Sequence, residues 1–259
     1  MSRAPHAPDT ASHAATPGAA RAAPHAAPLY IVPSLLGAVP PEDVLPARTL
    51  AIARELTHWI VETPKAARAF FGTLGMARPI AGLSIAPLAG HASDSEIDAL
   101  LAPARDGHAM GLVSDAGAPG VADPGARVVA VAHRSGVRVV PLVGPSAVLL
   151  ALMAAGLEGQ RFAFHGYLPA SAGERATALR ALEAESRRLR RTEIFIETPY
   201  RNAAMLATLA ATLAPHTRVC VACDLTLPSE SIVTQSAQAW RDADGSAWQK
   251  RPAIFLLQA

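Results

Sequence analysis

From Leu29 onward, short apolar runs alternate with longer stretches whose apolar positions recur every three to four residues, the periods of strands and of helices. Leu29-Tyr-Ile-Val32 is ended by Pro33 and Ser34 and predicts a first strand. A helix is expected over residues 49–57 and a strand over His58–Glu62. Pro64 suits the first turn of a helix that runs to Leu74 and stops at Gly75. Pro79–Ile85 predicts a strand, and Ser93 with Glu96 predicts a capping box that opens a helix to Arg105. A strand over Met110–Ser114, a helix over Asp123–Arg134 and a strand over Arg138–Val143 continue the rhythm. A helix capped by Ser146 follows, and then the pattern restarts. Strands are expected at Phe162–Phe164, Glu193–Glu197, Val219–Cys223, Ile232–Val233 and Ile254–Leu257. Between them lie a charged amphipathic helix over 172–190 and a helix over 200–213.

Such alternation predicts an α/β protein with mainly parallel sheets flanked by helices. The later strands follow one another more tightly, so the second half is expected to be more mixed. The chain of 259 residues is long enough for two α/β lobes with a cleft between them, placed at 29–145 and 146–259. Residues 1–28 are rich in Ala, Pro and His and are expected to be a disordered tail without the apolar run of an export signal. Apolar residues make up 51% of the chain and aromatics only 5%, so the cores must be built from Ala, Val, Leu and Ile. Val139–Leu157 carries no charge, but Pro141, Gly144 and Pro145 cut it, and the helix that remains is too short to span a bilayer. A cytoplasmic protein with no membrane partner is expected. The net charge of +2 is far from the dense basic stripe of a protein that grips nucleic acid by charge alone.

In open α/β sheets, ligands bind beyond the carboxyl ends of the strands. Three strand-end loops have the composition for it. Ser114-Asp-Ala-Gly-Ala-Pro-Gly-Val-Ala-Asp-Pro-Gly125 combines glycines that permit sharp turns with prolines that stiffen the path. Gly144-Pro-Ser-Ala147 leads into a helix, and Glu197-Thr-Pro-Tyr-Arg201 offers an Arg that pairs with a phosphate, a carboxylate of a ligand or a structural partner. Neither a Walker spacing nor a G-x-G-x-x-G after the first strand is present, and no G-x-S-x-G elbow exists. No His/Asp/Glu set has catalytic-metal spacing. Cys220 and Cys223 have the C-x-x-C spacing without a second pair to complete a zinc tetrad. On a strand they face opposite sides and read as small hydrophobes.

These loops, in this order, resemble the tetrapyrrole methylase superfamily, and within it the branch of 16S rRNA 2′-O-ribose cytidine methyltransferases, the small-subunit methyltransferase I branch. The most specific stretch is Leu112–Gly125 followed by Val139-Val-Pro-Leu-Val-Gly-Pro-Ser-Ala147, supported by Leu29–Val32, Ile196–Arg201, and Asp224-Leu-Thr226 with Glu230. The resemblance implies a class III methyltransferase-like fold, a homodimer, and S-adenosylmethionine between the lobes. It also implies cofactor contacts at Pro33, Ser114, Asp115, Ala116, Pro119, Ser146 and Ala147, and at Glu197, Leu225, Pro252 and Ala253 of the second lobe. Some segments differ from the usual pattern of the branch. Leu35–Asp43 stands where a Gly-Asn-Leu-Glu-Asp type segment is usual, Glu62-Thr-Pro-Lys65 where Glu-Asp-Thr-Arg is usual, and Asp224-Leu-Thr-Leu227 where Glu-Leu-Thr-Lys is usual.

A ribose hydroxyl is a weak nucleophile, and a general base helps it attack. Glu62 and Asp115 are the candidate catalytic carboxylates, though Asp115 also reads as a residue that holds its loop. Lys65 and Arg201 are the candidate substrate contacts, on phosphate. RNA, or the small ribosomal subunit, would need basic surface, which Arg175, Arg180 and Arg187-Arg-Leu-Arg-Arg191 offer beside Glu183 and Glu185. Two other readings stand beside rRNA methylation. One is a small-molecule, tetrapyrrole-type methyltransferase, and the other is a catalytically degenerate S-adenosylmethionine-binding protein.

Overall fold

The strands sort into two five-stranded sheets in a computed structural model that describes residues 26–259. The expected tail and its histidines at positions 6, 13 and 25 lie outside the described residues, apart from the last three positions of the tail. The first sheet takes β1 (Leu29–Ile31), β2 (His58–Val61), β3 (Ser84–Pro87), β4 (Met110–Val113) and β5 (Val139–Pro141) in the order β3-β2-β4-β1-β5. Every pair in it is parallel. Its connections are helical. They are α1 (Pro41–Val44) and α2 (Ala47–Glu55), then α3 (Pro64–Leu74), then α4 (Asp94–Leu100) and α5 (Ala102–Arg105), and last α6 (Gly125–Arg134).

The second half contributes α7 (Ala147–Ala155), β6 (Phe162–Tyr167), α8 (Ala172–Leu189), β7 (Thr192–Glu197), α9 (Asn202–Thr212), β8 (Arg218–Cys223), β9 (Ser231–Ser236) and β10 (Ala253–Gln258). The sheet order is β6-β7-β10-β8-β9. Only β6 and β7 pair in parallel, while β10 runs antiparallel to both of its neighbours and β9 antiparallel to β8. The parallel majority therefore holds in the first sheet and not in the second, which is mixed as its tighter strand spacing suggested. For β8 and β9 the reason is connection length. A parallel neighbour needs a crossover of a dozen or more residues, whereas residues 224–230 between β8 and β9 suffice only for a hairpin.

Each sheet is covered on both faces. In the first, Leu29, Ile60, Met110 and Leu112 pack with α4 and α6, while Trp59, Val61 and Val113 pack with α2 and α3. In the second, Phe195, Val221 and Phe255 face α8 and α9, and Ile194, Ala222, Ile254 and Leu256 face α7. Cys220 lies on the α7 side and Cys223 on the other, as the strand period requires. Burial pushes both thiols up, Cys223 to about 12, so both stay protonated and behave as small apolar groups.

Local departures from expectation have local causes. The helix expected to run to Arg105 breaks at Leu101, because Pro103 has no amide to donate and its ring clashes with the carbonyl four residues back. The capping box at its start forms as expected, with the Ser93 amide donating to Glu96 Oε2 at 2.6 Å and the Glu96 amide to Ser93 Oγ at 3.3 Å. The strand expected at Pro79–Ile85 begins at Ser84, after a 3₁₀ turn over Ile80–Gly82 that Pro79 introduces. Ser146 stands at the N-cap of α7, but its side chain makes no capping hydrogen bond. Among the described residues, no helix is long and apolar enough to cross a membrane.

Candidate active site

The strand order of the first sheet reverses between β4 and β1. The chain leaves β1 towards α1 and α2 on one face and leaves β4 towards α6 on the other, so a crevice opens where the two loops part. The loops are tied at its mouth. Ser34 is buried, donates its hydroxyl to the Ser114 carbonyl at 3.0 Å, and donates its amide to the Gly117 carbonyl at 2.9 Å. A third loop joins from the end of β2. Asp115 Oδ1 accepts the Thr63 amide at 3.1 Å, Asp115 Oδ2 accepts the Thr63 hydroxyl at 2.7 Å, and the Asp115 amide donates to Glu62 Oε2 at 3.0 Å. Asp123 braces the rest of the long loop by accepting from the amides of Gly120 at 2.9 Å and Gly125 at 2.6 Å. Gly117 and Gly120 take φ of 74° and 86°, conformations that a side chain would oppose.

This braced loop forms one wall of a cleft between the lobes. The cleft encloses about 970 Å³, its part open to solvent included. Leu36, Ala116, Gly117, Ala118, Val121 and Ala122 line it from the first lobe. Ser146, Ala147 and Val148 line it at the start of α7, where first-turn amides have no partner within the helix. From the second sheet come Phe164, Tyr167, Ile196, Glu197, Ala222, Leu225 and Pro252–Ile254. An adjoining groove of about 1290 Å³ shares Leu36 and Ala116 with the cleft. Residues 34–41, the Ala66, Ala69, Phe70 and Thr73 face of α3, and Asp115 complete it. Across the lobes, Leu227 packs over Gly37 so closely that a Cβ at Gly37 would stand 2.6 Å from its Cδ2. The difference from the usual Lys at position 227 thus places an apolar side chain against the loop after β1.

Seven of the expected cofactor residues line the cleft: Ala116, Ser146, Ala147, Glu197, Leu225, Pro252 and Ala253. Four do not. Pro33 is buried against Gly144, Ser114 is buried behind the loop, and Pro119 is buried within it. Asp115 faces the adjoining groove, with Glu62 behind its amide. Lys65 is exposed on the first turn of α3, next to Ala66 of the groove. Arg201 is engaged with Glu197, at 2.9 Å from Nε and 2.6 Å from Nη2 to Oε1. The basic cluster also divides. Arg175 is buried on Thr208 and the Ala170 carbonyl, and Arg191 is held by Glu185 and Glu193, so Arg180, Arg187, Arg188 and Arg190 are the exposed members.

Sequence reasoning missed Leu36, Val121, Ala122 and Tyr167 on the cleft. Small and aliphatic side chains, and a tyrosine outside any motif, carry no chemical signature, and only the folded walls select them. Asp123 was legible in principle, since an Asp two residues before a Gly at a turn is a common brace.

Residues 47–239 match the family described as Tetrapyrrole (Corrin/Porphyrin) Methylases. The chain belongs to the tetrapyrrole methylase family. Its relatives include the Ribosomal RNA small subunit methyltransferase I of Pseudomonas aeruginosa, 33% identical over 231 residues that cover 88% of this chain and 78% of that protein. The protein of the same name from Escherichia coli O157:H7 is 42% identical over 142 residues, 55% of this chain. That match spans 48%, about half, of the length of the Escherichia coli protein. Among solved structures, the methyltransferase CobJ shares the fold, with a TM-score of 0.59 at 20% identity over 90% of this chain and 94% of that one. The family fold explains why the site lies between the lobes. One lobe supplies a switch point and the other supplies a mainly apolar wall.

Proposed function

We propose that this chain is an S-adenosylmethionine-dependent methyltransferase that 2′-O-methylates a ribose of small-subunit rRNA. The observation that carries the reading is the relationship over 88% of the chain to a protein named for small-subunit rRNA methylation. The cleft fits the cofactor on its own evidence. Its volume without the open solvent is about 290 Å³, at the lower edge of the roughly 300–1,000 Å³ of small-molecule sites. Ala and Gly side chains leave backbone groups accessible on two of its walls, and the Glu197 Oε2 oxygen is buried without a partner on a third. Bound there, S-adenosylmethionine would supply an electrophilic methyl on sulfur. In this reading Ala116, Ser146, Ala147, Glu197, Leu225, Pro252 and Ala253 hold the cofactor, while Pro33, Ser114 and Pro119 set the shape of its walls.

The adjoining groove receives the acceptor, because it meets the cleft at Leu36 and Ala116. Asp115 stands in that groove and is the proposed proton acceptor for the ribose hydroxyl, with Glu62 fixing its amide. Lys65, at the groove's rim, and the exposed Arg187, Arg188 and Arg190 are the proposed phosphate contacts. Such work places the protein in the cytoplasm.

Labelled methyl from S-adenosylmethionine is expected to enter the rRNA of small ribosomal subunits taken from cells that lack this protein, at a 2′-O-methyl ribose. Label found only in small molecules of the extract would replace this reading with a tetrapyrrole-type one. Saturable cofactor binding with no label anywhere would replace it with a degenerate binding protein.

We also propose a homodimer, formed through α7. Leu149 and Met153 lie four residues apart on that helix and are 52% and 80% exposed, although both are large and apolar. Sedimentation is expected to give twice the chain mass for the wild type and monomer for Met153→Glu. A monomeric wild type would refute the dimer.

A further inference from the structure

Glu197 ends β7 on the wall of the cleft, with no part of its side chain accessible to solvent. Its two oxygens are used unequally. Oε1 accepts from the Thr198 amide at 2.6 Å, the Thr198 hydroxyl at 3.3 Å, Arg201 Nε at 2.9 Å and Arg201 Nη2 at 2.6 Å. Oε2 is buried and accepts nothing. A guanidinium often meets a carboxylate as a fork, with one donor on each oxygen. Here both donors go to the same oxygen. The other is left as a buried acceptor that no protein donor satisfies, an arrangement that costs stability unless a donor arrives.

The local backbone produces this geometry. Pro199 opens a 3₁₀ turn over Pro199–Arg201 directly after β7, which carries Arg201 back over Glu197. The turn is anchored below by Asn202, whose Nδ2 donates to the carbonyls of Trp248 at 2.9 Å and Arg251 at 2.7 Å. A substrate phosphate would have to draw Arg201 off a buried carboxylate.

We propose that Arg201 is a positioning residue. By occupying Oε1 it holds Glu197 in one rotamer and keeps Oε2 free for an N–H or O–H donor of a nucleoside-type ligand in the cleft. The inference deepens the cofactor reading and rests on it. Three donor sites of S-adenosylmethionine have the required chemistry: the adenine amino group, the ribose hydroxyls and the α-amino group.

Calorimetric titration of the full chain tests it, with S-adenosylmethionine and with 5′-methylthioadenosine, which keeps the ribose and lacks the amino acid. Arg201→Ala is expected to weaken S-adenosylmethionine binding about tenfold or more, as loss of a fixed acceptor implies, and Arg201→Lys to recover part of it. In a Glu197→Gln background, Arg201→Ala is expected to add little, because the two residues act as one unit. Weakening of both ligands assigns Oε2 to the adenosine moiety, and weakening of S-adenosylmethionine alone assigns it to the α-amino group. Thermal unfolding of the ligand-free variants separates these effects from damage to the fold. Equal affinity of wild type and Arg201→Ala, additive effects in the double variant, or a loss confined to the KM for RNA would each overturn the inference and leave the cofactor reading standing. A wild-type protein that binds no adenosyl ligand would overturn both.

Discussion

Replacing Gly111 with alanine is expected to destabilise the protein by about 2–3 kcal/mol, the upper part of the usual range for overpacking a core. Gly111 lies in β4, in the centre of the first sheet, beside Trp59 of β2 and Tyr30 of β1. A Cβ there would stand 2.4 Å from both Cε3 and Cζ3 of Trp59. The indole has nowhere to go. It is 1% exposed, its ring centroid is 4.5 Å from that of Phe71, and its Nε1 donates to the Leu56 carbonyl at 3.1 Å. Strain must therefore pass into the strand pairing or into the α3 packing. For a chain of this size the midpoint of thermal unfolding should fall by roughly 4–12 °C. Trp59→Phe in the Gly111→Ala background should recover part of the loss, since the smaller ring vacates the space. Gly72→Ala is the control. It lies within α3 with nothing near its added Cβ, and it should stabilise by about 0.5–1 kcal/mol. A midpoint for Gly111→Ala within a degree or so of wild type would show that Trp59 is free to move.

Ala116→Phe is expected to abolish cofactor binding while leaving the fold intact. Ala116 is exposed at the junction of the cleft and the groove, after β4 and outside both cores. A phenyl ring there projects into the space that both ligands need, yet displaces no buried side chain. Exposed substitutions of this kind usually change stability by less than about 0.5 kcal/mol. Loss of S-adenosylmethionine affinity by about a hundredfold or more, equivalent to about 2.7 kcal/mol, is the expected calorimetric result. Affinity within about threefold of wild type, with unchanged unfolding, would show that the cofactor does not use this wall.

The site residues divide according to how their signals arise. The loop 114–125 was legible because its Gly and Pro positions follow a strand, and such punctuation acts through backbone torsions of the residues themselves. The resemblance then identified Ala147, Glu197 and Leu225, all of which line the cleft. Roles of side chains were less legible. The residue that Asp115 grips is Thr63, 52 positions away, and no spacing rule reaches that far. Arg201 offered a choice between a ligand and a structural partner, and no spacing rule names Glu197 as the residue it pairs with in the fold.

By itself, the sequence determined the α/β class, the periods and approximate limits of most elements, the capping box at Ser93, the opposite facing of Cys220 and Cys223, and the first lobe's parallel character. These depend on torsional preference, on side-chain period and on the length of the connections, which are all written locally. The tertiary structure alone decided that β10 inserts between β7 and β8 and makes the second sheet mainly antiparallel. It alone left one oxygen of Glu197 unpartnered and set Leu227 against Gly37 across the lobes. Strand insertion is set by how distant strands of one sheet compete for pairing edges, and the contact of Leu227 with Gly37 by how the two lobes pack. That competition takes place only once distant segments are packed together.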